Sequence, residues 1–164
     1  MNWNESNLME LIPAIIVGGA VIALVKIFSD SPDKRIQEAL RAMKRVLKTR
    51  KQNPHVLYRE DIGWIGFSYG AHYPATKTRK RSGYGLAHII GAAKENFGKY
   101  EGSPSPEEVL SLIPEIILRG QKRDTHKNRI LIEYKGHIAL LTKRGKRQQD
   151  PHWLFHAYKR YPKK

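Results

Sequence analysis

The sequence contains no cysteine among its 164 residues. This absence excludes a disulfide scaffold, a thiol nucleophile, an iron–sulfur cluster and a zinc site built on thiolates. The sequence also has neither a Gly-x-x-x-x-Gly-Lys loop for phosphate nor a His-Glu-x-x-His pair for zinc. Histidine, which occurs seven times, is then the side chain best suited to proton transfer near neutral pH.

Acidic side chains are scarce as well. Fifteen of them face thirty lysines and arginines, which gives a formal net charge of +15 and a sequence pI of about 10.1. Residues 1–30 contain three acidic residues and one lysine, so the positive excess lies entirely in residues 31–164. Such an excess raises the energy of a compact chain unless a polyanion neutralises it. The composition therefore predicts nucleic acid as the partner of residues 31–164.

The longest apolar run is short for a membrane span. Residues 11–25 would cover about 22 Å as a helix, whereas a bilayer core is about 30 Å thick. Residues 8–28 reach that thickness by including Glu10 and Lys26 near the ends, where long side chains can reach the interface. Two interpretations stand equally, a membrane anchor or an apolar helix packed against protein. Glu5 and Glu10 precede the run and no basic residue does, which disfavours a secretory signal. Positive charge follows the run, which would place the body of an anchored protein on the cytoplasmic side.

Three helices are predicted after residue 30. The first is amphipathic and basic, starts at Ser31-Pro32-Asp33 and ends before Pro54, and its predicted apolar positions are Ile36, Leu40, Met43 and Leu47. The second follows Gly83 and Gly85 and ends at Gly98. The third starts with a capping box at residues 105–108 and stops at Gly120, with Pro114 as a kink or restart.

The remaining segments alternate as strands do. Residues 56–69 predict one or two strands, residues 128–134 and 137–142 a hairpin, and residues 153–159 a last strand. Residues 71–82 and 143–149 are predicted basic loops. The fold class is therefore α+β, with helices packed on a small antiparallel sheet of about four strands, preceded by the apolar N-terminal helix. The predicted divisions are residues 1–30 (apolar helix), 31–55 (basic helix and linker) and 56–164 (catalytic-type domain).

Three of the seven histidines lie on predicted helices or strands. These are His88, His137 and His156. The other four lie in predicted turns and are interpreted as solvated polar residues: His55, His72, His126 and His152. His88 turns away from the centre of its apolar stripe, so it is expected to be at least partly accessible.

The last strand and the hairpin before it offer a second group of candidates. Alternation puts Leu154, His156 and Tyr158 on one face, opposite a core face of Trp153, Phe155 and Ala157. A histidine beside a tyrosine is either an acid or base with a hydrogen-bonding partner or an exposed edge, and the spacing alone favours the edge. Arg129 on the hairpin is either a phosphate ligand on the same surface or the partner of Glu133 in a salt bridge.

Four segments of this sequence together resemble one nuclease superfamily. They are Asp61 to Gly70, the Gly-Tyr-Gly-Leu-Ala-His-Ile-Ile stretch of residues 83–90, Asn128 to Tyr134, and the Trp-Leu-Phe-His-Ala-Tyr strand of residues 153–158. Over roughly residues 56–160 the chain is similar to the phage and polymorphic-toxin nucleases of the barnase/EndoU/colicin/RelE-like (BECR) superfamily. The resemblance implies a metal-independent endoribonuclease without a cofactor. It also implies that His88 is the active-site histidine on the helix and that Arg129 holds phosphate.

One position departs from the pattern of the superfamily. His156 stands where a threonine is usual, so it is either an alternative acid or base or a sign of altered activity. In the mechanism expected from these residues, His88 and His156 divide general acid and base catalysis, Arg129 stabilises the pentacovalent phosphate and Tyr158 orients a histidine or donates to phosphate. The product would be a 2′,3′-cyclic phosphate. The basic residues expected to bind RNA are Lys77, Arg79, Lys80, Arg81, Lys143 and Arg144.

Two other interpretations stay open at this point. The chain could be a non-catalytic module that binds nucleic acid, or a membrane-associated phage structural protein. For the nuclease, the expected partners are RNA, an acidic immunity or antitoxin protein and a membrane through residues 8–28. The expected location is the cytoplasm or the cytoplasmic face of the membrane, after delivery by a phage or secretion system.

Overall fold

The computed structural model describes residues 30–99, 102–124, 128–143, 147 and 149–160. The predicted membrane segment 8–28 and Arg144 lie outside the described residues. Within those that are described, no helix combines the length and the apolar character that a bilayer crossing requires. The chain from Ser31 onward forms one compact unit.

Helix α1 runs from Pro32 to Thr49, as predicted. The Ser31 hydroxyl caps it by accepting a hydrogen bond from the Lys34 backbone amide at 3.3 Å. The residues that it buries most fully are Ala39, Met43 and Val46. Met43 is the only one of the four predicted apolar positions among these three. The buried face of the helix is centred on Ala39, Met43 and Val46, so Leu40 and Leu47 lie at its edges and are half-buried.

The other two helices form the middle of the core. Helix α2 spans Gly85–Asn96, and helix α3 spans Pro106–Arg119. Ser105 and Glu108 form the predicted capping box, with reciprocal hydrogen bonds of 3.2 and 2.6 Å. Pro114 neither ends nor restarts α3, which continues through it to a cap at Gly120.

The sheet is larger than predicted. The described residues form eight strands: β1 (Asn53–Arg59), β2 (Gly63–Phe67), β3 (Ala71–Tyr73), β4 (Ser82–Tyr84), β5 (Gln121–Asp124), β6 (Arg129–Tyr134), β7 (His137–Lys143) and β8 (His152–Lys159). Six of them form one sheet in the order β1-β2-β8-β7-β6-β5, and β3 pairs with β4 in a separate ribbon. The prediction of about four strands misses β5. This strand contains no apolar residue and joins the sheet by backbone pairing with β6. The prediction also misses β3 and β4, which form at the two ends of the segment predicted to be a basic loop, residues 71–82.

The sheet is also not wholly antiparallel. Strand β2 pairs with β8 in parallel, with Ile65 opposite His152 and Gly66 opposite Trp153. All other neighbouring pairs of described strands are antiparallel. Because β2 and β8 are far apart in the chain, no turn or local pattern in the sequence could indicate their direction.

An irregularity in β8 corrects the predicted faces of that strand. The register with β7 shifts so that Leu140 pairs with His156 but Leu141 pairs with Leu154. Phe155 is the extra residue of this bulge, and it resets the alternation before His156. Leu154 is therefore buried in the same core as Ala157 instead of sharing a face with His156.

Helix α1 contributes to the core even though its exposed surface is basic. We expect Met43→Ala to lower the free energy of unfolding by about 2–5 kcal/mol, because the side chain is fully buried and its loss leaves a cavity. Urea unfolding of the full chain measures this, with exposed Lys44→Ala as the matched control. Equal stability of both variants would show that α1 does not belong to the folded core.

Candidate active site

His88 lies in the first turns of α2 and is buried, with 7% of its surface exposed. The expectation of an accessible His88 is therefore wrong. The β3–β4 ribbon covers the ring, and a Cβ atom added at Gly83 would lie 2.6 Å from its Nδ1. Gly83 and Gly85 have φ values of +143° and +74°, which favour glycine. The Gly-Tyr-Gly segment thus lets the backbone pass directly over the histidine.

The end of β2 fixes the start of α2. The backbone amide of Leu86 donates to the Ser68 carbonyl at 3.0 Å, and that of Ala87 donates to the Tyr69 carbonyl at 2.8 Å. These bonds satisfy amides that a helix N-terminus otherwise leaves open. His88 follows directly, so its position is set by the sheet.

His72 meets His88 from β3. The two Nδ1 atoms are 3.1 Å apart, and His72 Nε2 is 3.0 Å from Glu95 Oε1. The interpretation of His72 as a solvated turn residue is therefore wrong. Gly91 makes room for it, since a Cβ atom there would lie 2.3 Å from the His72 ring.

Sequence reasoning missed both His72 and Glu95. One signal for Glu95 was present, because it follows His88 by seven residues and so lies two turns further along the same helix face. Gly91, three residues after His88, lies on that face too. No local signal could identify His72, since only the pairing of β3 with β4 brings it to the helix.

Arg81 closes the cluster on its other side. Its Nη1 lies 3.2 Å from Glu95 Oε2 and 3.3 Å from Asn96 Oδ1. Burial raises the pKa of Glu95, but the hydrogen bonds from His72 and Arg81 outweigh it and leave the pKa below its ordinary value. Glu95 is therefore a carboxylate at neutral pH.

His156 approaches His88 from β8. The ring centroids are 4.8 Å apart, and the Tyr158 ring stacks on His156 at 5.2 Å. His156 Nδ1 is buried and has no hydrogen-bond partner among the described residues. The structure thus brings together three of the four predicted catalytic residues, His88, His156 and Tyr158.

The surroundings of the two histidines lower the pKa of both rings. Burial, reinforced by His88 and Arg81, lowers the pKa of His156 to about 4. Burial, then His72 and Arg81, also lowers the pKa of His88, while the Glu95 charge acts in the opposite direction. At pH 7 only about one His156 ring in a thousand would carry a proton.

Arg129 lies at the start of β6. It pairs in register with Thr142, and its guanidinium is 5.5 Å from the centroid of the Phe155 ring, next to His156 in the chain. Glu133, its alternative partner, has ion pairs with Arg123 at 3.3 Å and Arg160 at 3.2 Å.

The predicted RNA-binding residues fall into separate places. Lys77, Arg79 and Lys80 are exposed in the loop between β3 and β4, where the Arg79 guanidinium lies 5.4 Å from the Tyr73 ring. Arg81, at the end of that loop, is instead held by Glu95. Lys143 ends β7 opposite His152. The basic loop is therefore joined at its base to the strand that carries His72.

Three other described histidines lie outside this cluster. His55 belongs to β1 instead of the predicted turn, and its ring contacts that of Trp64. His152 belongs to β8 instead of the predicted turn, and burial, Lys143 and Lys122 lower its pKa. His137 starts β7, as predicted, and its Nδ1 is 3.1 Å from the Lys135 carbonyl. Among the described residues, no group of three or more histidine and acidic side chains is arranged to hold a metal ion.

Stability should depend on pH through the buried histidines. The folded-state pKa of His156 lies below its ordinary value of 6.5, so between pH 6.5 and about 4 the unfolded chain binds a proton that the folded chain does not. Stability therefore falls as the pH drops through this window. We expect His156→Thr to reduce this acid sensitivity by about 2–3 kcal/mol. Urea unfolding at pH 7 and pH 4.5 tests this, with His137→Ala as control, and identical pH dependence in both variants would contradict it.

Comparison with known proteins gives one match. Residues 56–164 match the family model described as phage-Barnase-EndoU-ColicinE5/D-RelE like nuclease 1, PBECR1. No curated protein and no solved structure matches significantly. The matched segment covers about two thirds of the chain and includes the whole histidine cluster, so it confirms the resemblance to this superfamily. The chain therefore belongs to the PBECR1 family of phage nucleases.

Proposed function

We propose that this nuclease is an endoribonuclease that works without a metal ion and leaves a 2′,3′-cyclic phosphate. Cleavage of RNA by its own 2′-OH needs an acid, a base and a cation. The proposal rests on the contact between His88 and His156, because these two rings can supply the acid and the base. The ribose 2′-OH is the nucleophile, so the protein has no need to activate water. DNA lacks this hydroxyl group and would not be cleaved in this way.

In this proposal His156 is the base. It is neutral at pH 7 and its Nδ1 is buried, so Nε2 is the nitrogen that accepts the proton of the 2′-OH. As the 2′-oxygen bonds to phosphorus, the bond from phosphorus to the 5′-oxygen breaks. His88 donates a proton to that leaving oxygen, and the Glu95 charge favours the protonated form of His88 that this step requires.

Cations and aromatic rings around the cluster suit single-stranded RNA. Tyr73 and Tyr158 are exposed by 48% and 40%, and Tyr158 stacks on the proposed base. Exposed rings next to basic residues give stacking platforms and charge for a flexible strand. Lys77, Arg79 and Lys80 supply charge beside Tyr73, and Arg129 is proposed to stabilise the phosphate in the transition state.

Cleavage can be tested with the full chain and total RNA in the presence of EDTA. We expect discrete fragments that end in a 2′,3′-cyclic phosphate, and no cleavage of an oligonucleotide with a 2′-deoxy residue at the cut site. His88→Ala and His156→Ala should each lower turnover by at least about 100-fold, because each removes a proton-transfer group. His137→Ala should keep the parent activity. RNA binding without any fragments would indicate a binding module instead.

A variant at the unusual position separates two roles for His156. If it is the base, His156→Thr loses activity as His156→Ala does, since a hydroxyl group does not titrate near neutral pH. Full activity of the threonine variant would assign His156 a hydrogen-bonding role and overturn the two-histidine mechanism.

The pH dependence of kcat/KM should be bell-shaped with an acidic optimum. The rate should rise with pH through about 4, where His156 loses its proton, and fall as His88 loses its proton below the ordinary value of 6.5. The optimum is therefore expected between these two values. Because His88 and His156 interact, the two limbs of the pH profile report the titration of the pair and not of either ring alone. Initial rates from pH 3.5 to 8 measure it, and an optimum above pH 7 would contradict the assignment.

A further inference from the structure

The proposed chemistry leaves His72 without a role and uses Glu95 only as a charge near His88. Glu95 and His72 form a continuous line to His88, with contacts of 3.0 Å and 3.1 Å. All three are at most partly exposed, and the backbone at Gly83 and Gly91 passes so close to the rings that a Cβ atom at either glycine would overlap them. Such a line of hydrogen bonds has a direction, which the chemistry of its ends determines.

The carboxylate end sets that direction. An ionised carboxylate only accepts hydrogen bonds, so His72 Nε2 must carry a proton and donate it to Glu95. In a neutral His72 ring, Nδ1 is then an acceptor. With His72 neutral, the facing nitrogen, His88 Nδ1, is the donor, and Nε2 of a neutral His88 then carries no proton.

Arg81 prevents the hydrogen bonds of this line from running in the opposite direction. Its guanidinium can only donate, and it occupies Oε2 of Glu95 while His72 occupies Oε1. Both oxygens of the carboxylate thus face donors. The charged groups around His88 are Arg81, which opposes a positive charge on the ring, and Glu95, which favours it. His156 and His72 are the titratable rings on either side.

We propose that Glu95 and His72 form a relay that holds His88 with its proton on Nδ1, makes Nε2 its reactive nitrogen and stabilises the imidazolium form. This inference rests on the proposed function of His88. When Nε2 gains a proton, the donors along the line keep their direction, so no hydrogen bond has to reverse. Glu95 and His72 are positioning residues. Their role is like that of the aspartate in a Ser-His-Asp triad, which orients the catalytic histidine.

Substitution of Glu95 by glutamine should reverse the line. Arg81 cannot accept, so it takes the single carbonyl oxygen of the new amide and leaves the NH₂ group facing His72. His72 Nε2 must then accept, its Nδ1 donates, and His88 Nδ1 becomes the acceptor. Glu95→Gln therefore moves the His88 proton from Nδ1 to Nε2, although the side chain keeps its size.

Nitrogen-15 NMR of the histidine rings in the full chain tests the relay directly. At pH 7 the parent should show His88 protonated at Nδ1, and Glu95→Gln should show it protonated at Nε2. Glu107→Gln, an exposed glutamate at the start of α3, is the matched control and should leave the parent pattern. A parent His88 protonated at Nε2 would overturn the relay without the need for any variant.

Kinetics on RNA provide the second readout. Glu95→Gln and His72→Ala should each lower kcat by at least about 10-fold with little change in KM, because in the relay both residues act through His88. The alkaline limb of the pH profile should move to lower pH in Glu95→Gln, because the charge that favours imidazolium is lost. An unchanged kcat together with RNA cleavage by the parent would overturn the relay. The expected NMR pattern in a parent that cleaves no RNA would overturn the proposed function and leave the hydrogen-bond line standing.

Discussion

The candidate site depends on a buried imidazole that has to find a hydrogen-bond partner inside the protein. His88 is almost fully covered, and an unpartnered polar ring in such a place would lower stability. His72 supplies the partner, Glu95 fixes His72, and Arg81 fixes Glu95. Each group in this sequence of contacts orients the one before it. The β3–β4 ribbon is held to α2 by the same contacts, so the geometry of the site and the local fold are a single arrangement.

Glycine allows this arrangement at the backbone level. Gly83 passes over His88 and Gly91 lies under His72, at distances where any side chain would overlap a ring. The segment that carries the family resemblance, Gly-Tyr-Gly-Leu-Ala-His-Ile, can therefore be understood in steric terms. Gly83 leaves room for the His88 ring, whereas Gly85 leaves room for the Ser68 carbonyl, which would lie 2.7 Å from a Cβ atom added there.

Charge acts on the protein at two distances. At long range, the excess of lysine and arginine attracts a polyanion. At short range, burial lowers the pKa values of His88 and His156, and the positive charge of Arg81 adds to this effect. Glu95 is the only acidic side chain that acts on His88 among the groups that shift its pKa. In the proposed mechanism, this single carboxylate distinguishes the acid from the base.

The sequence alone determined the features that short-range physics controls. Ser105 and Glu108 identify the start of α3, Lys135-Gly136 identifies the β6–β7 hairpin, and the motif around His88 identifies the superfamily. Proximity in the chain is sufficient for caps, turns and helical faces, because their partners are at most a few residues away.

Only the tertiary structure decided the contacts that join distant segments. The parallel pairing of β2 with β8, the addition of the polar strand β5 and the burial of His88 all depend on packing that no local pattern encodes. His72 is the clearest case, since its own neighbours in the chain indicate a solvated turn. It becomes part of the site because Ala71–Tyr73 pairs with Ser82–Tyr84 and the ribbon folds over α2. A long-range contact of this kind is specified by the shape and hydrogen bonds of the whole core, so the sequence revealed the helix histidine but not the residues that orient it.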